Sequence, residues 1–212
     1  MSTPKQSIFS QTYGQAISAC RDGFRVVRQR GPSQIQFWFI ALLIGIGAGF
    51  AALFFRKGIN SFQAFLYGTD DVQHLHSFAQ SLPWYLILTI PIVGGLVVGV
   101  ILHVFTRDGR ARSVAEVIEG AAMHDGRVET RAGLASALAS FITLSSGGSS
   151  GREGPVVHMA AVISTKVCRF IKADGVTGRD LLGCAVAAAV SASFNAPIAG
   201  ALFALEGVLR HF

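Results

Sequence analysis

Charged residues are scarce in this chain. They make up 14% of its 212 residues, whereas about 25% is usual in a soluble domain. Hydrophobic residues make up 51% of the chain, and 24 residues are glycine. This composition argues against an ordinary soluble domain and is typical of a membrane protein.

Cysteine is also rare, and the three cysteines, Cys20, Cys168 and Cys184, lie far apart in the sequence. Their spacing excludes a zinc-binding motif and a disulfide framework. We interpret them as packing residues and expect neither a metal nor a cofactor.

Charge is absent from several long stretches. Residues 31–55 and 82–106 contain no Asp, Glu, Lys or Arg, and each exceeds the roughly 20 residues that cross a bilayer. Residues 132–151 and 181–205 are also uncharged, and 155–165 is a shorter apolar stretch. We therefore predict that four or five segments enter the membrane.

The distribution of cations predicts the topology. Five Lys or Arg precede residue 37 and five more lie from Arg107 to Arg131, whereas the loop from Asn60 to Ser81 has none. By the positive-inside rule, the N-terminus is then cytoplasmic. No secretory signal is seen, so the first span is expected to target the chain to a membrane, which we expect to be a bacterial inner membrane. The net charge of +6 is read as a topology signal, and no nucleic-acid binding is expected.

Residues 1–33 are predicted to form a cytoplasmic N-terminal segment whose amphipathic helix, residues 12–30, lies on the inner membrane surface. An ordinary helix packed on a soluble partner remains the alternative. In the first two spans, Gly45 with Gly49 and Gly95 with Gly99 have the four-residue spacing that permits close helix packing.

Later segments suggest interrupted helices. Ser113 is a candidate N-cap for a short helix over 114–123, on which Glu116 and Glu119 are expected to be solvated. Further helices are predicted over 154–171, 179–192 and 197–210. Two of them begin at a proline inside apolar sequence, which is how transporters aim helix N-termini at a central anion site.

The run from Ser145 to Pro155 is rich in serine and glycine and carries Arg152 and Glu153 between apolar segments. A carboxylate at membrane depth usually marks an ion or proton path, so Glu153 is a functional-site candidate. The alternative is that Glu153 merely favours the positive end of the helix that follows.

Two motifs carry a family resemblance. Gly151-Arg152-Glu153-Gly154-Pro155 and the later Phe194-to-Gly200 segment resemble those of the CLC family of chloride channels and chloride/proton exchangers, and the resemblance covers about residues 34–212. It implies an all-α polytopic membrane fold containing most of the first of two inverted repeats. It also implies a homodimer in the lipid bilayer that transports chloride, a small anion, and is not an enzyme.

The resemblance also implies site residues. Glu153 would be the gating carboxylate, and Arg152 a structural partner of nearby carbonyls or carboxylates. Anions would be held by backbone N–H groups of Gly151, Arg152, Glu153, Gly154 and Val156, with half-helix starts at Pro155, Asn195 and Pro197. The second repeat is not seen in this chain, which alone is not expected to form a complete pore.

Two positions depart from the family pattern. Arg112 stands where the family has a pore serine, so either Arg112 lines a modified inner anion site, which is favoured, or Ser113 replaces the serine. Gly207 stands where coupled members carry a proton-accepting glutamate, which favours channel-like conduction. Proton/chloride exchange remains the alternative.

Two other classes of protein are alternatives to a chloride channel or exchanger. The segment Gly148-Ser149-Ser150-Gly151 fits a rhomboid-type intramembrane protease with Ser150 as nucleophile, which needs a histidine base; His158 is the nearest in sequence. A purely structural membrane protein would leave Glu153 without a role. The glycine-rich run lacks the ending of a nucleotide-binding loop.

Overall fold

The computed structural model describes residues 34–68, 83–106 and 108–209, which form helices and connecting turns. In chain order the α-helices are α1 (Gln34–Tyr67), α2 (Trp84–Phe105), α3 (Val114–Met123), α4 (Thr130–Ser145), α5 (Glu153–Ile171), α6 (Gly175–Phe194) and α7 (Pro197–Leu202). A π-helical segment, Phe203–Leu209, continues directly from α7. The all-α fold predicted from the sequence is confirmed, whereas the predicted amphipathic helix at residues 12–30 lies outside the described residues.

The first span is longer than predicted. The sequence placed a loop from Asn60 onward, but α1 continues through Arg56 and Lys57 to Tyr67, and it ends at Gly68, whose φ is +67°. Its buried residues, from Ile44 to Ile59, recur every three or four positions, so one face stays packed beyond the uncharged stretch. At 1.5 Å per residue, its 34 residues extend about 51 Å, more than the hydrocarbon thickness of a bilayer.

Helices α1 and α2 are each long and apolar enough to cross a membrane. Most apolar side chains of α2 are exposed, including Leu96 and Val104. Of the four glycines predicted to permit close packing, Gly45 lies near Ala188, at 3.7 Å from an added methyl group, whereas a methyl group on Gly49, Gly95 or Gly99 would meet nothing within 4 Å among the described residues. Close approach occurs instead at Gly94, directly against the Ser146 side chain of the segment after α4.

Helix α6 is the centre of the packed body. It packs against α1, α5, α7 and the π-helical segment. Its fully buried Leu181 and Ala185 join one apolar cluster, and its Leu182 and Val186 join a second. These two pairs lie on adjacent faces of α6, about 100° apart, so the helix takes part both in the cluster that contains α1 and in the cluster that contains α3.

A short connection makes α5 and α6 antiparallel neighbours. Lys172 ends α5 with a φ of 52°, and Asp174 caps α6 by accepting a hydrogen bond of 3.2 Å from the Thr177 N–H. This cap explains why α6 begins at Gly175 and not near Arg179 as predicted. Asn195, with a φ of 54°, ends α6. Because α5 and α6 run antiparallel, the start of α5 and the end of α6 lie toward the same side of the molecule.

Candidate anion site

Two helix starts that are far apart in sequence lie next to each other. Helix α5 packs against α3, and a methyl group placed on Gly154, in the first turn of α5, would lie 4.0 Å from the Cα atom of Ser113, the N-cap of α3. The N-terminus of a helix carries unpaired N–H groups and partial positive charge, which favour anions. The structure therefore brings the Gly-Arg-Glu-Gly-Pro motif to the position of the predicted inner site.

The start of α3 is closed by its own side chains. Glu116 Oε2 accepts hydrogen bonds from the Ser113 backbone N–H at 2.7 Å and from the Ser113 hydroxyl at 2.8 Å. Ser113 Oγ accepts a bond of 3.2 Å from the Ala115 N–H. This is a capping box, and it confirms Ser113 as the predicted N-cap.

The sequence predicted that Glu116 is solvated. In the structure its carboxylate instead forms part of the helix cap. Partial burial acts to raise the pKa of Glu116, but the hydrogen bonds from Ser113 and the charge of Arg112 outweigh it, so the pKa lies below the usual glutamate range. The Ser-x-x-Glu spacing was a visible signal for this role.

Arg112 is surrounded by carboxylates. Its Nη1 lies 3.4 Å from Asp108 Oδ2 and 3.9 Å from Glu116 Oε1, and its Nη2 lies 3.5 Å from Glu129 Oε2. Its backbone N–H donates a hydrogen bond of 2.7 Å to Ser136 Oγ on α4. The guanidinium charge is thus offset by three acidic side chains, and the residue ties the segment before α3 to α4.

The start of α5 differs from the start of α3 because no side chain of the described residues caps it. Arg152 is the N-cap residue and Glu153 the first helical residue, and both side chains are exposed. Among the described residues, no ion pair joins Arg152 to a carboxylate. Gly151 has open space around it, whereas Pro155 and Val156 are buried. The first-turn N–H groups are thus free of side-chain acceptors, as an anion-binding helix end requires.

The start of α7 is held against α6. The Ser191 hydroxyl donates a hydrogen bond of 3.3 Å to the Pro197 carbonyl, and Gly200 lies directly against Ser191. The prediction of a half-helix start at Asn195 is wrong, because Asn195 is the left-handed residue that ends α6 before the new helix begins at Pro197. The interactions found at Pro197 therefore connect it to α6 and not to Glu153.

A cavity of about 620 Å³ opens beside the start of α3. Arg112, Glu116 and Glu129 line it together with His158, which is 1% exposed on the second turn of α5. The sequence indicated no role for His158 other than that of a protease base. Ser150 is exposed, and within the described ranges no hydrogen bond joins it to a histidine.

Comparisons of the sequence with known proteins point to one family. A profile described as "Voltage gated chloride channel" matches residues 94–212. A ClcB-like chloride channel protein of Ralstonia nicotianae is 34% identical over 171 residues, covering 79% of this chain and 39% of that protein. The ClC-type channel ClcB of Escherichia coli O81 is 31% identical over 171 residues, 79% of this chain and 40% of that protein.

This chain thus spans about two fifths of the length of these curated relatives. These matches to chloride channels give no support to the alternative of a rhomboid-type intramembrane protease. Because the profile covers more than half of the chain, including the glycine-rich motif and the helices around it, the chain belongs to the voltage gated chloride channel family.

Proposed function

We propose that this chain forms part of a transmembrane chloride pathway in which Glu153 is the gate and the uncapped start of α5 supplies the N–H donors. The observation that carries this proposal is the contrast between the two neighbouring helix starts. Glu116 and Ser113 close the start of α3, whereas the start of α5 has no side-chain cap and bears the Glu153 carboxylate.

The proposed gate depends on competition between the Glu153 carboxylate and a mobile anion for the same N–H donors. The first turn of α5 and the two residues before it offer the N–H groups of Gly151, Arg152, Glu153, Gly154 and Val156, while Pro155 has none to offer. One helix end stabilises an anion by at most about 2 kcal/mol, whereas burying a bare anion costs tens of kcal/mol. Several donors must therefore converge. A carboxylate tethered at this start competes with a mobile anion for the same donors until it is protonated or displaced.

The surroundings fit a membrane location. Large apolar side chains on α1 and α2 are exposed, among them Trp38, Phe54 and Leu96, and lipid is the environment in which such side chains are stable. The relatives are described as chloride channels, which supports chloride as the anion. By analogy with the family, we extend the proposal to a homodimer in a bacterial inner membrane with residues 107–131 on the cytoplasmic side.

Substitution of Glu153 tests the proposal. The chain is fused to the portion of the Ralstonia relative outside the matched region and reconstituted in liposomes, and chloride efflux is recorded from pH 4.5 to pH 7.5. Efflux through the unmodified fusion should rise as the pH falls. Glu153→Gln and Glu153→Ala should make efflux at pH 7.5 as fast as at pH 4.5, because the donors remain while the competing charge is gone.

A matched control is Glu119→Gln, which removes an exposed carboxylate from α3 and should preserve the pH dependence. The chain without the fused portion should conduct little, since it carries only part of the required donors. If Glu153→Gln retained the pH dependence of the unmodified fusion, Glu153 would not be the gate.

A further inference from the structure

Arg56 and Lys57 are adjacent cations on α1 that the proposed chloride pathway does not use. Both side chains are exposed, and among residues 34–68, 83–106 and 108–209 no carboxylate forms an ion pair with either of them. In the proposed topology they lie toward the non-cytoplasmic end of α1, where the positive-inside rule leads us to expect few cations. Two such cations indicate an anion supplied from outside the described residues.

The position of the pair along α1 corresponds to the surface of the bilayer. Helix α1 begins at Gln34 and contains no charged residue before Arg56. At 1.5 Å per residue, this charge-free part, residues 34–55, extends about 33 Å, which is close to the hydrocarbon thickness of about 30 Å. When the charge-free part spans the hydrocarbon, Arg56 and Lys57 lie at the level of the lipid phosphates.

Packing on α4 fixes which side of α1 faces outward near the pair. Phe55 is buried, and its ring lies edge-on to that of Phe141 in α4, with the centroids 6.1 Å apart. Farther along α1, the Tyr67 hydroxyl donates a hydrogen bond of 3.1 Å to the Ser146 carbonyl, just after α4. Because successive residues turn by about 100° around a helix, Lys57 lies on the side of α1 opposite Phe55.

The exposed face of α1 changes from apolar to polar at the pair. On the side toward the bilayer centre, Leu53 and Phe54 are 47% and 72% exposed. One turn beyond the pair, Asn60 and Ser61 are exposed. Residues three or four positions apart are neighbours on a helix surface, so Lys57 lies between the apolar and the polar side chains. A molecule with an anionic head and an apolar tail matches this order.

The chemistry of these side chains favours a phospholipid over a free anion. Arginine and lysine form charge-assisted hydrogen bonds with phosphate oxygens, and the asparagine amide and serine hydroxyl are further donors. The exposed Leu53 and Phe54 offer contacts to an acyl chain, which a free anion lacks. A headgroup with its own cation, such as choline, is disfavoured because Arg56 and Lys57 repel that charge.

We propose that Arg56 and Lys57 form a binding site for an anionic phospholipid. The two cations hold the phosphate together with the polar residues one turn beyond them, and an acyl chain lies along the apolar residues one turn before them. This site goes beyond the proposed function, because lipid binding on the outer surface of α1 does not depend on whether Glu153 is the gate.

Native mass spectrometry on the fusion described above tests the proposal. The protein is titrated in detergent with phosphatidylglycerol or with phosphatidylcholine of the same acyl chains, and the dissociation constant of the first bound lipid is measured. Phosphatidylglycerol should bind more tightly to the unmodified fusion. Arg56→Gln combined with Lys57→Gln should weaken its binding roughly 25-fold, since each cation near an anionic surface contributes about fivefold. Phosphatidylcholine binding should hardly change.

Two further double variants are matched controls. Arg110→Gln combined with Lys166→Gln removes the same charge from exposed positions outside α1 and should retain tight phosphatidylglycerol binding. Arg56→Lys combined with Lys57→Arg keeps both charges and should retain it as well.

Four results would overturn the proposal. An equal loss of affinity in the two charge-removing variants would indicate general attraction to the protein surface. An unchanged affinity after loss of both α1 cations would indicate that the fused portion or a second copy covers this face. No preference for phosphatidylglycerol would exclude a site for anionic lipid, and displacement of the lipid by inorganic phosphate would assign the pair to a free anion.

Discussion

At the scale of single residues, neighbouring polar groups have different roles because their local partners differ. Glu116 and Glu153 both lie at the start of a helix, but Glu116 accepts two hydrogen bonds from Ser113, whereas Glu153 is exposed at a start without a side-chain cap. Arg112 adds a third case, a cation held by three carboxylates. Residue type alone therefore does not decide which side chain is available to an ion.

The Ser113–Glu116 cap gives a prediction for stability. Ser113→Ala should lower the free energy of unfolding by about 0.5–2 kcal/mol, the usual cost of losing an N-cap. Because the pKa of Glu116 is lowered in the folded chain, its ionised form stabilises the fold above its unfolded pKa of about 4.3. That contribution is lost as the pH falls through the folded pKa. Thermal unfolding in detergent, followed by circular dichroism at several pH values, measures both effects.

Glu116→Gln is the control for the pH effect, because glutamine retains an acceptor but does not titrate in this range. The Gln variant should show a weaker loss of stability below about pH 4.3 than the unmodified chain. An identical loss in both proteins would show that another group is responsible.

At the scale of helices, turns with special backbone geometry position the site. The turn after α3 contains Gly126, whose φ is +72° and whose Cα lies directly against the backbone of Gly178 in α6. This contact fixes the end of α3 on α6 and so holds the cavity wall that carries Asp125 and Arg127. Both glycines are needed here, because a side chain on either would meet backbone atoms.

Gly126→Ala should destabilise the chain by about 1–3 kcal/mol, since it combines a left-handed backbone with a clash against backbone atoms. Gly109 is the matched control, because its φ is +63° while no described residue lies within 4 Å of an added methyl group. Gly109→Ala should therefore lower the free energy of unfolding by about 1 kcal/mol, which is the cost of the left-handed backbone alone. Equal losses of thermal stability in the two variants would contradict the packing role of Gly126.

At the scale of the whole molecule, Gly207 bears on the proposed mode of transport. This residue lies in the π-helical segment, and by the family resemblance it stands where exchangers usually carry a proton acceptor. A side chain would fit there, because the nearest atoms to an added methyl group belong to the Phe203 ring at 3.6 Å. The alternative of proton/chloride exchange can therefore be tested directly by adding a carboxylate.

In liposomes containing the fusion described above, a chloride gradient should drive little proton movement, recorded with a pH-sensitive dye. Gly207→Glu should increase the number of protons moved per chloride if the remaining proton path is intact. Gly207→Gln, which has nearly the same size but no titratable group, is the control. Strong uphill proton transport by the unmodified fusion would refute channel-like conduction.

Much of the fold was predictable because hydrophobic periodicity and capping residues act locally. The helix from Val114 to Met123, its Ser113 cap and the start of α7 at Pro197 followed from the sequence, whereas Asn195, predicted as a half-helix start, ends α6. Contacts between distant segments were not predictable in this way. At Gly95 and Gly99 the spacing permits close approach but does not name a neighbour, and among the described residues nothing lies within 4 Å of a methyl group added there.

The sequence by itself determined the membrane character, the helical elements and the family motifs, because composition, period and spacing are properties of neighbouring residues. Only the tertiary structure placed Ser113 beside Gly154 and buried His158 without a hydrogen-bond partner among the described residues. It also surrounded Arg112 with acidic side chains. These arrangements join residues from separate elements, and their energies depend on distances that exist only once α3, α4 and α5 have packed together.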